Sequence, residues 1–129
     1  MFKDVTLKQK IAMSINGARF ARDQMLDPDS FRVSRVWYRY FAVCMEFRSK
    51  NRMGGYDQGE GVYTDFPEKF SLHTPEPESG SDDYSDYIGS DRYHANFEFK
   101  YRCLSENADK PVDVTDQVKP VLKADRDKE

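Results

Sequence analysis

The 129-residue chain is predicted to be an α+β domain: one long N-terminal helix packed on an antiparallel sheet of three to five strands, with a long acidic insertion. Three observations carry that prediction. Residues 6–26 place apolar side chains at helical spacing. Two stretches, Phe31–Arg48 and Arg92–Leu104, alternate apolar and polar side chains as strands do. Residues 74–91 lose that patterning altogether. Residues 1–124 are taken as one domain and 125–129 as a frayed tail.

The helix begins at Thr6, where Gln9 three residues on completes a capping box. Leu7, Ile11, Ile15, Ala18, Met25 and Leu26 form its apolar stripe, widened by Phe20 and Ala21. Gly17 either weakens the middle or lets a neighbour approach closely. Asp27-Pro28-Asp29-Ser30 ends it, because a residue before proline avoids the helical region.

In Phe31–Arg48, the side chains Phe31, Val33, Trp37, Phe41, Val43, Met45 and Phe47 share one parity and are expected to face the core. The run is too long for an ordinary strand, so a bend is expected near Ser34–Arg35, followed by a long central strand, Trp37–Arg48. Ser49–Tyr56 then supplies the Asn and Gly residues of a hairpin turn. Arg48, Lys50, Asn51, Arg52, Gly54, Gly55 and Tyr56 make it a candidate basic binding loop, with backbone N–H groups near three cations. Gly61–Phe66 reads as a short returning strand that Pro67 closes, and 67–73 is ambiguous.

Residues 74–91 hold six acidic residues and no Lys or Arg, with Pro, Gly and Ser throughout. Such a stretch buries too little apolar surface to order itself and is expected as a mobile insertion between strands. Glu76, Glu78, Asp82, Asp83, Asp86 and Asp91 form a candidate acidic interaction segment. With Tyr84 and Tyr87 it is suited to docking on a basic surface, as an imitation of a phosphate backbone. The four aspartates do not have the spacing of a 12-residue calcium loop. Arg92–Leu104 is predicted to be a strand beside the central one, with His94 on its wet face. Val112, Val114, Val118, Val121 and Leu122 belong to a short helix or strand packed on the domain.

Charge is distributed unevenly. Residues 1–56 carry 11 Lys/Arg against 5 Asp/Glu, and residues 57–129 carry 9 against 18. Either the halves lie against each other and partly cancel, or the surface is bipolar, with an acidic face toward a basic partner. Nucleic acid is not an expected partner, although the net charge of −3 by itself says little. No apolar run approaches the ~20 residues of a membrane span. The start MFKDVTLKQK has no apolar signal core, so the chain reads as intracellular or as a trimmed mature form.

Cys44 and Cys103 fit either a disulfide, if their Cα atoms approach within about 7 Å, or two buried thiols. With His73 and His94 they lack zinc-site spacing, and no metal or cofactor is expected. No nucleophile pairs with His94 in sequence, which leaves a hydrolase the least supported reading. A non-enzymatic module binding an unidentified protein, and an intracellular inhibitor using the 74–91 segment as an anionic mimic, remain.

Four pieces in order carry a family resemblance: Leu26-Asp27-Pro28-Asp29-Ser30-Phe31, Val43-Cys44-Met45-Glu46-Phe47-Arg48, the Asn51-x-x-Gly54-Gly55 loop, and Cys103 followed by Asp113-Val114-Thr115. The chain resembles a group of small bacterial α+β proteins of no assigned activity, mostly exported or lipid-anchored. The resemblance implies a secreted or periplasmic location, with cytoplasmic the alternative. It also favours a Cys44–Cys103 disulfide, because exported chains meet an oxidising compartment.

Overall fold

The computed structural model describes residues 5–104 and 110–128. It is α+β, with helices on both faces of a five-stranded antiparallel sheet of order β4-β3-β2-β1-β5. Helix α1 (Leu7–Asp23) starts at the expected cap: Gln9 N–H donates to Thr6 Oγ1 (3.1 Å) and Thr6 N–H to Gln9 Oε1 (2.9 Å). Its buried face is made of small residues, Ser14, Gly17, Ala18 and Ala21. A Cβ on Gly17 would lie 2.7 Å from the Tyr63 ring, so glycine lets the helix settle directly on the sheet. The expected stripe was too broad at its ends, since Leu7 is 59% and Leu26 63% exposed.

After a 3₁₀ turn (Pro28–Ser30), the Phe31–Arg48 run is two strands, not a short and a long one. β1 (Arg32–Arg39) and β2 (Ala42–Lys50) form a hairpin. Its two turn residues, Tyr40 and Phe41, have φ of 53° and 55°. A two-residue turn needs that left-handed pair, which Asn-Gly ordinarily supplies. Aromatic residues there gave no turn signal, and Phe41, expected inside, is 52% exposed. At the expected bend lies a β-bulge, between Val33 and Arg35. The extra residue reverses the parity. Phe31 and Val33 therefore share the α1 face with Val36, Tyr38, Val43, Met45 and Phe47, while Trp37 turns to the opposite face. β2, not Trp37–Arg48, is the central strand.

β3 (Tyr56–Asp65) starts earlier than expected, and the ambiguous stretch is β4 (Glu68–His73), joined to it by a turn with a cis Phe66–Pro67 bond. The acidic stretch is no insertion between strands. It links β4 to the helices and includes α2 (Tyr84–Tyr87).

Arg92–Leu104 is not a strand. It is α3 (Asp91–Phe99) followed by a π-helical turn, Lys100–Leu104. Ser90 caps α3, accepting from the Tyr93 N–H. Phe97 and Tyr101 of the expected strand's apolar face are exposed, while Asn96, Phe99 and Cys103, which recur every three or four positions, are buried. They cover the second face of the sheet, where Trp37, Ala42, Cys44, Val62, Phe99 and Cys103 form a second core cluster. Burying Phe99 alone contributes about 2 kcal/mol. A Cys44–Cys103 disulfide (Cα–Cα 5.9 Å) ties the π-helical turn to β2.

β5 (Val112–Asp113) pairs with β1 at Tyr38 and Trp37. α4 (Thr115–Asp127) then packs Val118 and Leu122 into the main core. The expected fraying from Asp125 is corrected by geometry. Asp125 accepts from Arg19 Nε (2.9 Å), Arg19 Nη2 (3.0 Å) and Arg22 Nη1 (2.8 Å). These contacts pin the end of α4 to α1, and only a partner distant in sequence reveals them. Glu129 lies outside the described residues.

Candidate functional site

The sheet face opposite α1 is only partly covered by α3 and the π-helical turn. Two cross-strand rows lie on it, set by the strand register. One is Arg32–Arg48–Gln58 and the other is Arg35–Glu46–Glu60–His73. The second row is internally matched. Arg35 approaches Glu46 at 3.9 Å, and His73 Nδ1 lies 2.6 Å from Glu60 Oε1. The first is not: Arg32 and Arg48 sit directly opposite each other, an arrangement of like charges that costs stability.

An open cavity of about 1150 Å³ is lined by these rows, Arg35 excepted, by Val33 and Phe47 of the α1 face, and by α4 on that same face, which adds Lys119, Lys123 and Arg126, so the cavity reaches both faces of the sheet. Spacings of four and three residues put these three cations on one helical face. Five cations thus converge on one hollow. Among the described residues none of them forms an ion pair. The Arg32 guanidinium is oriented by the carbonyls of Asp29 (2.7 Å) and Phe31 (2.9 Å). Burial and then the charge of Arg32 hold the Arg126 guanidinium below its usual range against the opposing charge of Asp127. The hollow is built to receive negative charge.

Of the candidate loop, only Arg48 lines this cavity. Lys50 follows two positions on along β2, and both cations lie over the Tyr56 ring, at 5.3 and 5.9 Å. Most of the loop N–H groups expected to be free are taken up within the turn. Asn51 Oδ1 accepts from Met53 N–H (2.9 Å) and Gly55 N–H (3.1 Å), and Gly54 (φ 85°) closes the turn. Asn51 Nδ2 donates to Asp57, and Arg52 is exposed. The Asn and Gly residues build the turn.

The acidic segment is anchored at both ends by one side chain. Asn96, 1% exposed, accepts from Thr74 N–H (2.8 Å) and donates to Thr74 C=O (2.9 Å) and the Tyr87 hydroxyl (2.8 Å). Glu76 is paired with Lys100, which holds its carboxyl below the usual range. Glu78, Asp82, Asp83, Asp86 and Asp91 are exposed, and among the described residues none forms an ion pair. Comparisons of the chain with protein-family models, curated proteins and solved structures found no match. Geometry and charge are therefore the ground for any functional reading.

His94 is exposed on α3, away from the cavity, and its ring meets Tyr93. His73, with Glu60 on its Nδ1 and its ring on Phe99 (5.0 Å), is the histidine at the cavity wall. No hydroxyl or thiol among the described residues hydrogen-bonds to it. Among the described residues no group of three acidic, His or Cys side chains is arranged for a metal. No helix among them is long and apolar enough to cross a membrane. Arg32, Lys119, Lys123 and Arg126 escaped the sequence reading. The 119/123/126 spacing would have exposed three of them had 115–127 been assigned as a helix.

Proposed function

We propose that this chain is a non-enzymatic binding module of an oxidising, extracytoplasmic compartment that takes an acidic protein surface into the cationic hollow. The observation that carries the reading is the convergence of Arg32, Arg48, Lys119, Lys123 and Arg126 on one cavity, unpaired among the described residues, while the acids beside them are matched. Carboxylates entering there replace water around cations that already repel one another, which favours association and speeds encounter. The Cys44–Cys103 bridge supports the compartment.

A fluorescent poly-glutamate peptide, followed by anisotropy, tests it. Binding at low salt is expected, weakening steeply between 50 and 500 mM salt as screening shortens to a few Å. Arg48→Glu with Lys123→Glu is expected to abolish it without changing the far-UV circular dichroism. Absence of binding at low salt, or binding indifferent to the double substitution, counts against the hollow. A second reading is favoured by the anchored segment: its unpaired acids present a fixed anionic surface to a basic partner. Deleting residues 78–86 without loss of that partner would remove it.

A further inference from the structure

We propose that the chain pairs with a second copy of itself, the acidic segment Glu78–Asp86 of one copy seated in the cationic hollow of the other. The inference rests on the hollow as an acid-binding site and names an occupant for it. Two surfaces of opposite sign, each unmatched among the described residues, are present on one chain. Among the described residues no ion pair joins the two. Asn96 holds Thr74 and Tyr87 together, so the segment is a closed loop directed by α3, and Lys100 takes up Glu76. Glu78, Asp82, Asp83 and Asp86 remain outward without partners among the described residues.

Position supports a closed pair over an open filament. Pro75 lines the hollow, and Glu78 follows three residues later. The acidic segment thus leaves from the rim of the basic hollow. A two-fold axis between them sets each patch against its complement on the other copy, satisfying both at once. Contact of this kind is electrostatic and falls with salt. It also covers the hollow, so self-pairing and capture of an acidic partner compete.

Light scattering after size exclusion tests the pairing, with reversal of each surface in turn. The wild type is expected to run as a dimer at 50 mM salt and as a monomer at 500 mM. Arg48→Glu with Lys119→Glu and Lys123→Glu leaves Arg32 and Arg126 against three new carboxylates, so that hollow and segment are both acidic, and is expected to be monomeric. Glu78→Lys with Asp82→Lys, Asp83→Lys and Asp86→Lys has both basic, and is expected to be monomeric too. Mixed in equal amounts, the two are expected to form a heterodimer, since each hollow then meets a segment of opposite sign. Recovery on mixing also shows that both variants are folded. A wild type monomeric at low salt, a dimer insensitive to either reversal, or a mixture that stays monomeric overturns the pairing. A monomer that still binds poly-glutamate through Arg48 and Lys123 overturns the pairing but leaves the hollow standing, whereas loss of both overturns both.

Discussion

Asn96 and Thr74 are joined by a reciprocal pair of hydrogen bonds, at 2.8 and 2.9 Å, across 22 residues of chain. The same amide reaches the Tyr87 hydroxyl, so one buried side chain closes the acidic loop. Asn96→Ala strands Thr74 N–H and C=O and the Tyr87 hydroxyl, at a cost of about 2–3 kcal/mol. Cleavage by a glutamate-specific protease at Glu78 is expected to accelerate severalfold relative to cleavage elsewhere in the chain. Equal rates in variant and wild type would mean that the loop is held by something else.

Asp125 is the charge that fastens α4 to α1. Hydrogen bonds from Arg19, then Arg22, hold its carboxyl well below the usual carboxylate range. A depressed folded value means that the contribution is complete above the unfolded value of about 4 and fades as pH falls below it. Asp125→Asn is therefore expected to destabilise by about 1 kcal/mol at pH 7. Urea titrations at pH 7 and pH 2.5 check the sign: the gap between variant and wild type should narrow in acid, and a gap that widens refutes the assignment.

The disulfide closes a loop of 59 residues of separation, and by the chain-entropy model contributes about 4 kcal/mol. Cys44→Ser with Cys103→Ser is expected to lower the denaturation midpoint and to raise exchange of amides in 91–104 most. Thiol labelling of the native chain without reductant should leave both cysteines unmodified.

Gly17 tests close packing against helix propensity. Alanine at an ordinary mid-helix glycine stabilises by up to ~1 kcal/mol. Here the added methyl meets Tyr63 Cδ2 at 2.7 Å and Cγ at 2.9 Å, on a buried ring also packed by Phe20 (5.5 Å). Overpacking of that kind costs ~1–3 kcal/mol, so packing outweighs propensity. Gly17→Ala is expected to melt below the wild type, and a higher melting temperature would show that the helix simply lifts.

Tyr63 carries a spectroscopic marker of the same contact. Burial, then its hydrogen bond to Glu68 (2.7 Å), pushes the phenol up to about 12. Burial also raises Tyr38, so two tyrosines are expected to ionise late in an alkaline titration followed at 295 nm. In Tyr63→Phe the amplitude of the late phase should fall to that of one tyrosine.

Patterns confined to neighbouring residues were readable without coordinates. The Thr6–Gln9 cap, the α+β class and the Asn51–Gly55 turn follow from side chains within a few positions of each other, whereas α1 ends at Asp23, ahead of the Asp27–Pro28 pair expected to stop it. The Tyr40–Phe41 turn was hidden because its left-handed backbone is imposed by the pairing of β1 with β2, against the preference of both residues. Arg92–Leu104 alternates like a strand but also spaces Asn96, Phe99 and Cys103 like a helix, and the choice was made by an uncovered sheet face needing Phe99 and Cys103 upon it. The cationic hollow needed folding most of all: Arg32, Arg48 and Lys123 are scattered along the chain, and Coulombic proximity depends on distance in space, which strand register and the docking of α4 set.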